Sequence, residues 1–287
     1  MGTLAALVSA IFATSKDLLS KRVSRDVDGT VSTFASFFFA LPFYVVLMGL
    51  LWILGYEDFA WSAGFWGYVL IRSITDAAAE WLKMTAFQFG DLSVVACFFS
   101  LSPIFLLLLS PLITGDALTS TTVAGVVLVV IGTVLMVYRP GTRVDRTQFG
   151  AIGLATAASV FFALNSCFDR LAVQTASPTM SGFAMTALSC AFFVPAMWRS
   201  SARRIAVLEH AKLFTVRGAL EVGFMVLKLT ALRYLSAPYV VVLQRTSMML
   251  SVLAGRYIFK EQHIGQRLLA GTVIFIGVVV CLFGSID

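Results

Sequence analysis

Charge is the scarcest ingredient of this 287-residue chain: 13% of it is Asp, Glu, Lys or Arg, where a water-soluble domain carries about 25%. A chain that is 59% hydrophobic with a mean hydropathy of +0.91 cannot cover itself with a wetted surface, which excludes a soluble globular protein. Disorder is excluded by 25 phenylalanines and the lack of any low-complexity tract. Histidine occurs twice, as His210 and His263, both beside apolar runs. No His/Asp/Glu metal cluster or Ser–Lys dyad is visible, so an intramembrane enzyme is not expected, and no cofactor is implied. The four cysteines, Cys97, Cys167, Cys190 and Cys281, show no CxxC spacing and read as small buried hydrophobes. No GxxxxGK[ST] motif is present, so this chain is not expected to hydrolyse ATP. The net charge of +6 is spread over short loops instead of one patch, which argues against nucleic acid.

What remains is a chain built for the bilayer. Six runs contain no charged residue: Gly29–Tyr56, Leu92–Gly115, Ala117–Tyr138, Thr147–Phe168, Leu171–Trp198 and Leu268–Ile286. Each reaches the roughly 20 residues that a helix needs to cross. Four more apolar segments carry internal charges: Thr3–Ser20, Ser62–Phe89, Leu213–Leu235 and Ala237–Phe259. None alternates as a membrane β-strand would, so an all-α membrane protein of ten transmembrane helices is expected. Met1–Ser15 reads as part of a helix that stays, since no basic region or small-residue cleavage site accompanies it. Pro178 and Pro238 mark helix starts, while Pro42, Pro103, Pro111 and Pro195 predict kinks inside spans. Trp52, Trp61, Trp66 and Trp198 stand near span ends, where an interfacial aromatic belt belongs.

The chain also repeats itself. Shifted by 145 positions, Arg72 falls on Arg217, Asp76 on Glu221, Leu82-Lys83 on Leu227-Lys228, Ser102 on Ser247, Asp116 on Glu261 and Gly132 on Gly277. Shifted by 149, Thr30, Ser32 and Phe34 fall on Thr179, Ser181 and Phe183. Charges that recur at matching depth inside apolar helices are stronger signals than recurring Leu and Val. Two five-helix units follow, residues 1–143 and 144–287. An odd number of spans per unit makes the two insert with opposite orientation, the inverted repeat that secondary transporters use around a midplane site. Both termini then lie on one side.

Other local features resemble the drug/metabolite transporter superfamily, in particular its ten-helix EamA-like branch. They are a Gly-containing final helix in each half (Ala124-Gly125…Gly132 and Ala270-Gly271…Gly277), Asp116 and Phe259-Lys260-Glu261 closing the fourth helix of each half, and Gln244-Arg245-Thr246-Ser247. The resemblance implies transport, and it places both termini in the cytoplasm. The positive-inside count implies the opposite, because Lys and Arg outside the spans cluster in the loops after the first, fifth, seventh and ninth helices, with Arg170 and Arg233 alone on the other side.

The candidate site is the set of intramembrane charges. Arg72, Asp76 and Lys83 fall within about 40° of one another on a helix, and Arg217, Glu221 and Lys228 repeat that stripe. A charge at the bilayer centre costs at least about 2.5–3.5 kcal/mol, so such residues face protein or water. One reading makes each Arg and the carboxylate four residues on a structural ion pair, with Lys83 and Lys228 snorkelling to the interface. The other makes Arg72, Lys83, Arg217, Lys228 and Arg245 the lining of a substrate cavity between the third, fourth, eighth and ninth spans. Asp76, Glu80 and Glu221 are then its counter-charges and the candidates for carrying a coupling proton. That excess of cations favours a small anionic or zwitterionic metabolite, exchanged or driven by a proton or ion gradient across the plasma membrane. A flippase for a lipid-linked anionic headgroup would use the same cations, and a non-transporting scaffold would leave them unexplained. Lys16-Asp17 and Asn165-Ser166 occupy related positions in the two halves, with helix contact and substrate contact both open to them. Oligomeric state leaves no mark in the sequence.

Overall fold

A computed structural model describes residues 1–23, 27–57, 59–89, 98, 101–137, 149–247 and 264–283. These residues are helical throughout, apart from short connections and one isolated bridge between Trp61 and Ala176. The helices are α1 (Gly2–Val23), α2 (Gly29–Ile53), α3 (Phe65–Phe89), α4 (Ser102–Ile113), α5 (Ser120–Val137), α6 (Phe149–Thr175), α7 (Pro178–Trp198), α8 (Ser201–Glu209), α9 (Ala211–Tyr234), α10 (Ala237–Gln244) and α11 (Ile264–Phe283). Three of them, α2, α6 and α7, are long and apolar enough to cross a membrane. At 1.5 Å per residue, the 25 residues of α2 extend about 37 Å, more than the hydrocarbon core. Shorter apolar stretches occupy α1, α4, α5 and α11. The Arg139–Arg146 loop, the Phe259-Lys260-Glu261 motif, His263 and Cys97 lie outside the described residues.

Polarity is arranged inside out. Leu112 is 82% exposed and Ile53 76%, while Arg72, Asp76, Asp169 and Glu221 are buried. In water each exposed aliphatic side chain would forfeit about 1.5–3 kcal/mol of burial; against lipid it forfeits nothing. Trp52, Trp61, Trp66 and Trp198 are all exposed, as interfacial anchors should be. The free thiols Cys167, Cys190 and Cys281 are buried, in line with their reading as small hydrophobes.

The chain forms two compact units, Met1–Ala77 with Phe168–Tyr234, and Ala78–Cys167 with Leu235–Asp287. Each draws on both halves of the chain, and the division falls within α3 and α6.

In the first unit, α1 lies along α9, and α2 packs on both α7 and α9. Helices α2 and α7 run antiparallel and are capped at equivalent repeat positions: Asp28 accepts from Val31 N at 2.7 Å and Ser177 from Met180 N at 3.1 Å. Each cap is also held by the segment that follows the other helix. Arg203 in α8 donates to Asp28 at 3.1 Å, and Glu57 after α2 accepts from Ser177 Oγ at 2.9 Å. Pro178 opens α7, where its missing N–H costs least. The stretch after Trp198, expected as a loop, contains the short helix α8.

In the second unit the repeat-related helices α5 and α11 touch backbone to backbone. A Cβ on Gly132 would lie 2.7 Å from Ile274 Cγ1 and 2.9 Å from the Ala270 carbonyl. One on Gly277 would lie 2.8 Å from the Gly125 carbonyl. This is the small-residue contact that lets membrane helices approach closely. Asp116 is buried; its Oδ2 accepts from Ser110 Oγ at 2.7 Å and from Ala237 N, at the start of α10, at 3.0 Å. A carboxylate there complements the positive end of the helix. Pro103 corrects an expectation: α4 begins at Ser102, so this proline sits in the first turn, where no intrahelical donor is lost, and does not interrupt the helix.

Candidate functional site

The first unit holds a continuous network of buried charge. Arg72 of α3 reaches Asp76 one turn on, Nη1 to Oδ2 at 2.9 Å, because residues four apart share a helix face. Its Nε donates to Asp169 Oδ1 of α6 at 3.0 Å, and Lys228 of α9 donates to Asp169 Oδ2 at 2.7 Å. The Asp169 side chain is 0% exposed. One carboxylate thus joins a guanidinium and an ammonium from two other helices, each oxygen assigned to one cation.

Two turns before Lys228, at about 10 Å along the same face of α9, Glu221 takes hydrogen bonds on both oxygens from Lys16 of α1, each at 3.0 Å. The Lys16 ammonium also sits 4.0 Å from the centroid of the Phe224 ring, a cation–π contact strengthened by burial. Arg217, one turn before Glu221, donates Nη1 to the Ser32 carbonyl of α2 at 3.0 Å. The charges of Arg72 and Glu221 act on one another, so the two clusters belong to one electrostatic neighbourhood.

The candidates from sequence are therefore distributed unequally. Arg72, Asp76, Arg217, Glu221 and Lys228 come together in the first unit. Lys83 and Arg245 belong to the second, where Lys83 Nζ lies 5.5 Å from the Phe162 ring centroid and Arg245 donates Nη2 to Ser102 Oγ at 3.2 Å. Glu80 lies in α3 with its side chain outside the described residues. Two expectations are corrected. Lys228 does not snorkel toward an interface; its ammonium binds Asp169. Asp169 and Arg170, read as a connection between two spans, lie inside the 27-residue helix α6, and Arg170 donates Nη1 to the Leu232 carbonyl at 2.8 Å. A signal for this was present: the cap residue Ser177 and Pro178 mark where the next helix starts, so the earlier one has room to run through Asp169 to Thr175. Asn165 and Ser166 are buried in the same helix.

Buried cations and acids paired across crossing helices mark a protein whose helices keep charge away from lipid. The EamA-like transporter family matches the chain twice, over residues 1–138 and 149–283, so nearly the whole chain is accounted for by two copies of one repeat. The chain belongs to the EamA-like transporter family, a branch of the drug/metabolite transporter superfamily, and is a membrane transporter. No curated protein matches it. A crystal structure of a protein superposes with a TM-score of 0.74, over 97% of this chain and 95% of its own, at 16% identity; that likeness establishes the fold alone.

Proposed function

We propose that the protein is a secondary carrier of a small anionic or zwitterionic metabolite, built of ten spans as two inverted five-helix repeats, residues 1–143 and 144–287. The repeats alternate the access of one charged site between the two sides of the plasma membrane. The observation that carries this reading is the network Arg72–Asp169–Lys228. It ties α3 of the first repeat to α6 and α9 of the second, so a solute that breaks one of its bonds changes the contact between repeats. Lys16, Arg72, Arg170, Arg217 and Lys228 outnumber Asp76, Asp169 and Glu221 along these helices. A guanidinium suits a carboxylate or phosphate through its paired donors. Lys83, Arg245 and Glu80 are secondary candidates, and a coupling proton is assigned to Asp76, Glu80 or Glu221.

The test is uptake into proteoliposomes of labelled organic acids, amino acids and sugar phosphates, with labelled anionic lipids as a separate arm. Uptake of a soluble anion, lost in Arg72→Gln and Lys228→Gln at unchanged protein insertion, is the expected result. Movement of lipid with no soluble substrate would replace the reading with a flippase.

A further inference from the structure

Between α7 and α9 the chain turns basic. From Trp198 to Val216 it carries Arg199, Arg203, Arg204 and Lys212 against one acid, Glu209. Within this stretch lies α8, whose nine residues extend about 13 Å and cannot cross a bilayer. Helix α7 before it has 21 residues, about 31 Å, close to the thickness of the hydrocarbon core. Its last residue, Trp198, is exposed and is the kind of ring that settles at headgroup depth. Helix α8 starts three residues later, at the same level.

One side of α8 is bound to the protein. Val207 is buried in a cluster with Val31 and Ala35 of α2, Met197 of α7 and Phe214 of α9, and Arg203 holds Asp28. The other side faces outward and is apolar at its centre: Ile205 is 55% exposed and Leu208 73%. At about 100° per residue these two stand about 60° apart, with Arg204 about 40° beyond Leu208. Arg204, Arg199 at the end of α7 and Lys212 in the first turn of α9 are all exposed, so cations accompany the outward apolar pair. Arg204 is oriented by its own surroundings, donating Nη1 to the Trp198 carbonyl at 3.0 Å and Nη2 to Ser201 Oγ at 3.2 Å.

A bilayer surface matches this pattern, because its acyl boundary accepts apolar side chains while its phosphates accept cations. The charge of Arg203 is met by Asp28, which leaves Arg199, Arg204 and Lys212 against Glu209. That surplus is attracted to a headgroup layer of net negative charge and gains little from a zwitterionic one. The opposite end of the α2–α7 pair supplies the contrast, since residues 54–64 carry Glu57-Asp58 and no Lys or Arg.

We infer that α8, with Arg199, Arg204 and Lys212, is a docking surface for anionic phospholipid headgroups, with Ile205 and Leu208 seated at the acyl boundary. The inference is independent of what the protein carries. A headgroup phosphate takes charge-assisted bonds from these side chains. Lipid held there bears on the start of α2 as well, since Arg203 ties α8 to the cap residue Asp28.

The experiment reconstitutes the full chain into phosphatidylcholine vesicles containing rising fractions of brominated phosphatidylglycerol or brominated phosphatidylcholine, and follows tryptophan quenching. The part of the quenching that disappears in Trp198→Phe reports on α8; the remainder includes Trp52, Trp61 and Trp66 at the opposite end. At low salt the Trp198 part should give phosphatidylglycerol a relative binding constant at least about fivefold above that of phosphatidylcholine, the gain from one Lys or Arg at an anionic surface. High salt should erase the difference, and the remaining tryptophans should show none. Arg199→Gln with Lys212→Gln, which leaves the Arg204 bonds in place, should bring the ratio toward one, and Arg199→Lys with Lys212→Arg should restore it. Ile205→Ser with Leu208→Ser should weaken the quenching of Trp198 by both lipids. Equal quenching of Trp198 by the two lipids, no quenching by either, a preference shared by the other tryptophans, or one that survives neutralisation or high salt would overturn the inference. The salt titration needs no substitution, so the inference stays open to refutation even if a variant fails to insert.

Discussion

Removing the negative charge of Asp169 is the sharpest perturbation the structure offers. The amide introduced by Asp169→Asn has nearly the same shape but one accepting atom instead of two, so it cannot serve both Arg72 Nε and Lys228 Nζ. Arg72 keeps Asp76 at 2.9 Å, so the burden falls on Lys228, whose side chain is 12% exposed. Leaving one member of a buried ion pair uncompensated costs about 3–5 kcal/mol. Lys228→Met alone should cost less, about 1.5–3 kcal/mol for a hydrogen bond to a charged group, because Asp169 retains Arg72. The double variant Asp169→Asn/Lys228→Met removes both the charge and its orphan. It should therefore be more stable than the sum of the singles by about 1–3 kcal/mol, the usual coupling of contacting residues. Unfolding of the purified protein in mixed micelles, followed by tryptophan fluorescence, reads all three. An Asp169→Asn protein within about 0.5 kcal/mol of the parent, or strict additivity in the double variant, would refute the idea that this carboxylate holds three helices together.

Replacing Gly132 with Leu should separate α5 from α11, since even a Cβ meets Ile274 at 2.7 Å. A loss of at least about 1–3 kcal/mol is expected from overpacking, with Gly150→Leu, where a Cβ meets nothing within 4 Å, as the neutral control. Asp28→Asn keeps a good N-cap and loses only the half-exposed pair with Arg203, so it should cost less than about 1 kcal/mol, whereas Asp28→Ala should cost about 1 kcal/mol more. For orientation, the charge bias places the Arg139–Arg146 loop inside. Cysteines introduced there should resist an impermeant thiol reagent in intact cells while a cysteine at Glu57 reacts, and the reverse pattern would put both termini in the cytoplasm.

Some of the site was legible from the amino acids because its physics is local. Arg72 and Asp76 are one turn apart, and a helix of that register pairs them whatever surrounds it. The recurrence of their stripe at Arg217, Glu221 and Lys228 pointed to α9, while the glycines of the last helix in each half carried only a resemblance, and their close contact between α5 and α11 emerged from the structure. The partner of Glu221 was not legible: Lys16 lies 205 residues away, and only tertiary packing brings them together. Asp169 was hidden for another reason. Hydropathy treats an Asp-Arg pair between two apolar runs as a break, although a buried partner on each side makes the same pair tolerable within a helix. Ser181 and Ser189, whose hydroxyls have no hydrogen-bond partner among the described residues, gave no signal at all, because an unmade hydrogen bond is a property of the folded surroundings.

The antiparallel caps of α2 and α7 carry a consequence for the two faces of the membrane. At one end the tie is an ion pair, Arg203 to Asp28, with side chains 35% and 48% exposed. At the other it is a carboxylate, Glu57, receiving hydrogen bonds from the hydroxyls of Ser177 and Thr179. Salt at physiological strength damps the attraction between exposed charges over about 8 Å, while a bond between a carboxylate and a neutral hydroxyl answers to local geometry more than to dissolved ions. The antiparallel pair of α2 and α7 is therefore fastened by two unlike clasps. The electrolyte bathing one face loosens its clasp, and the same electrolyte on the opposite face leaves the other nearly as tight as before.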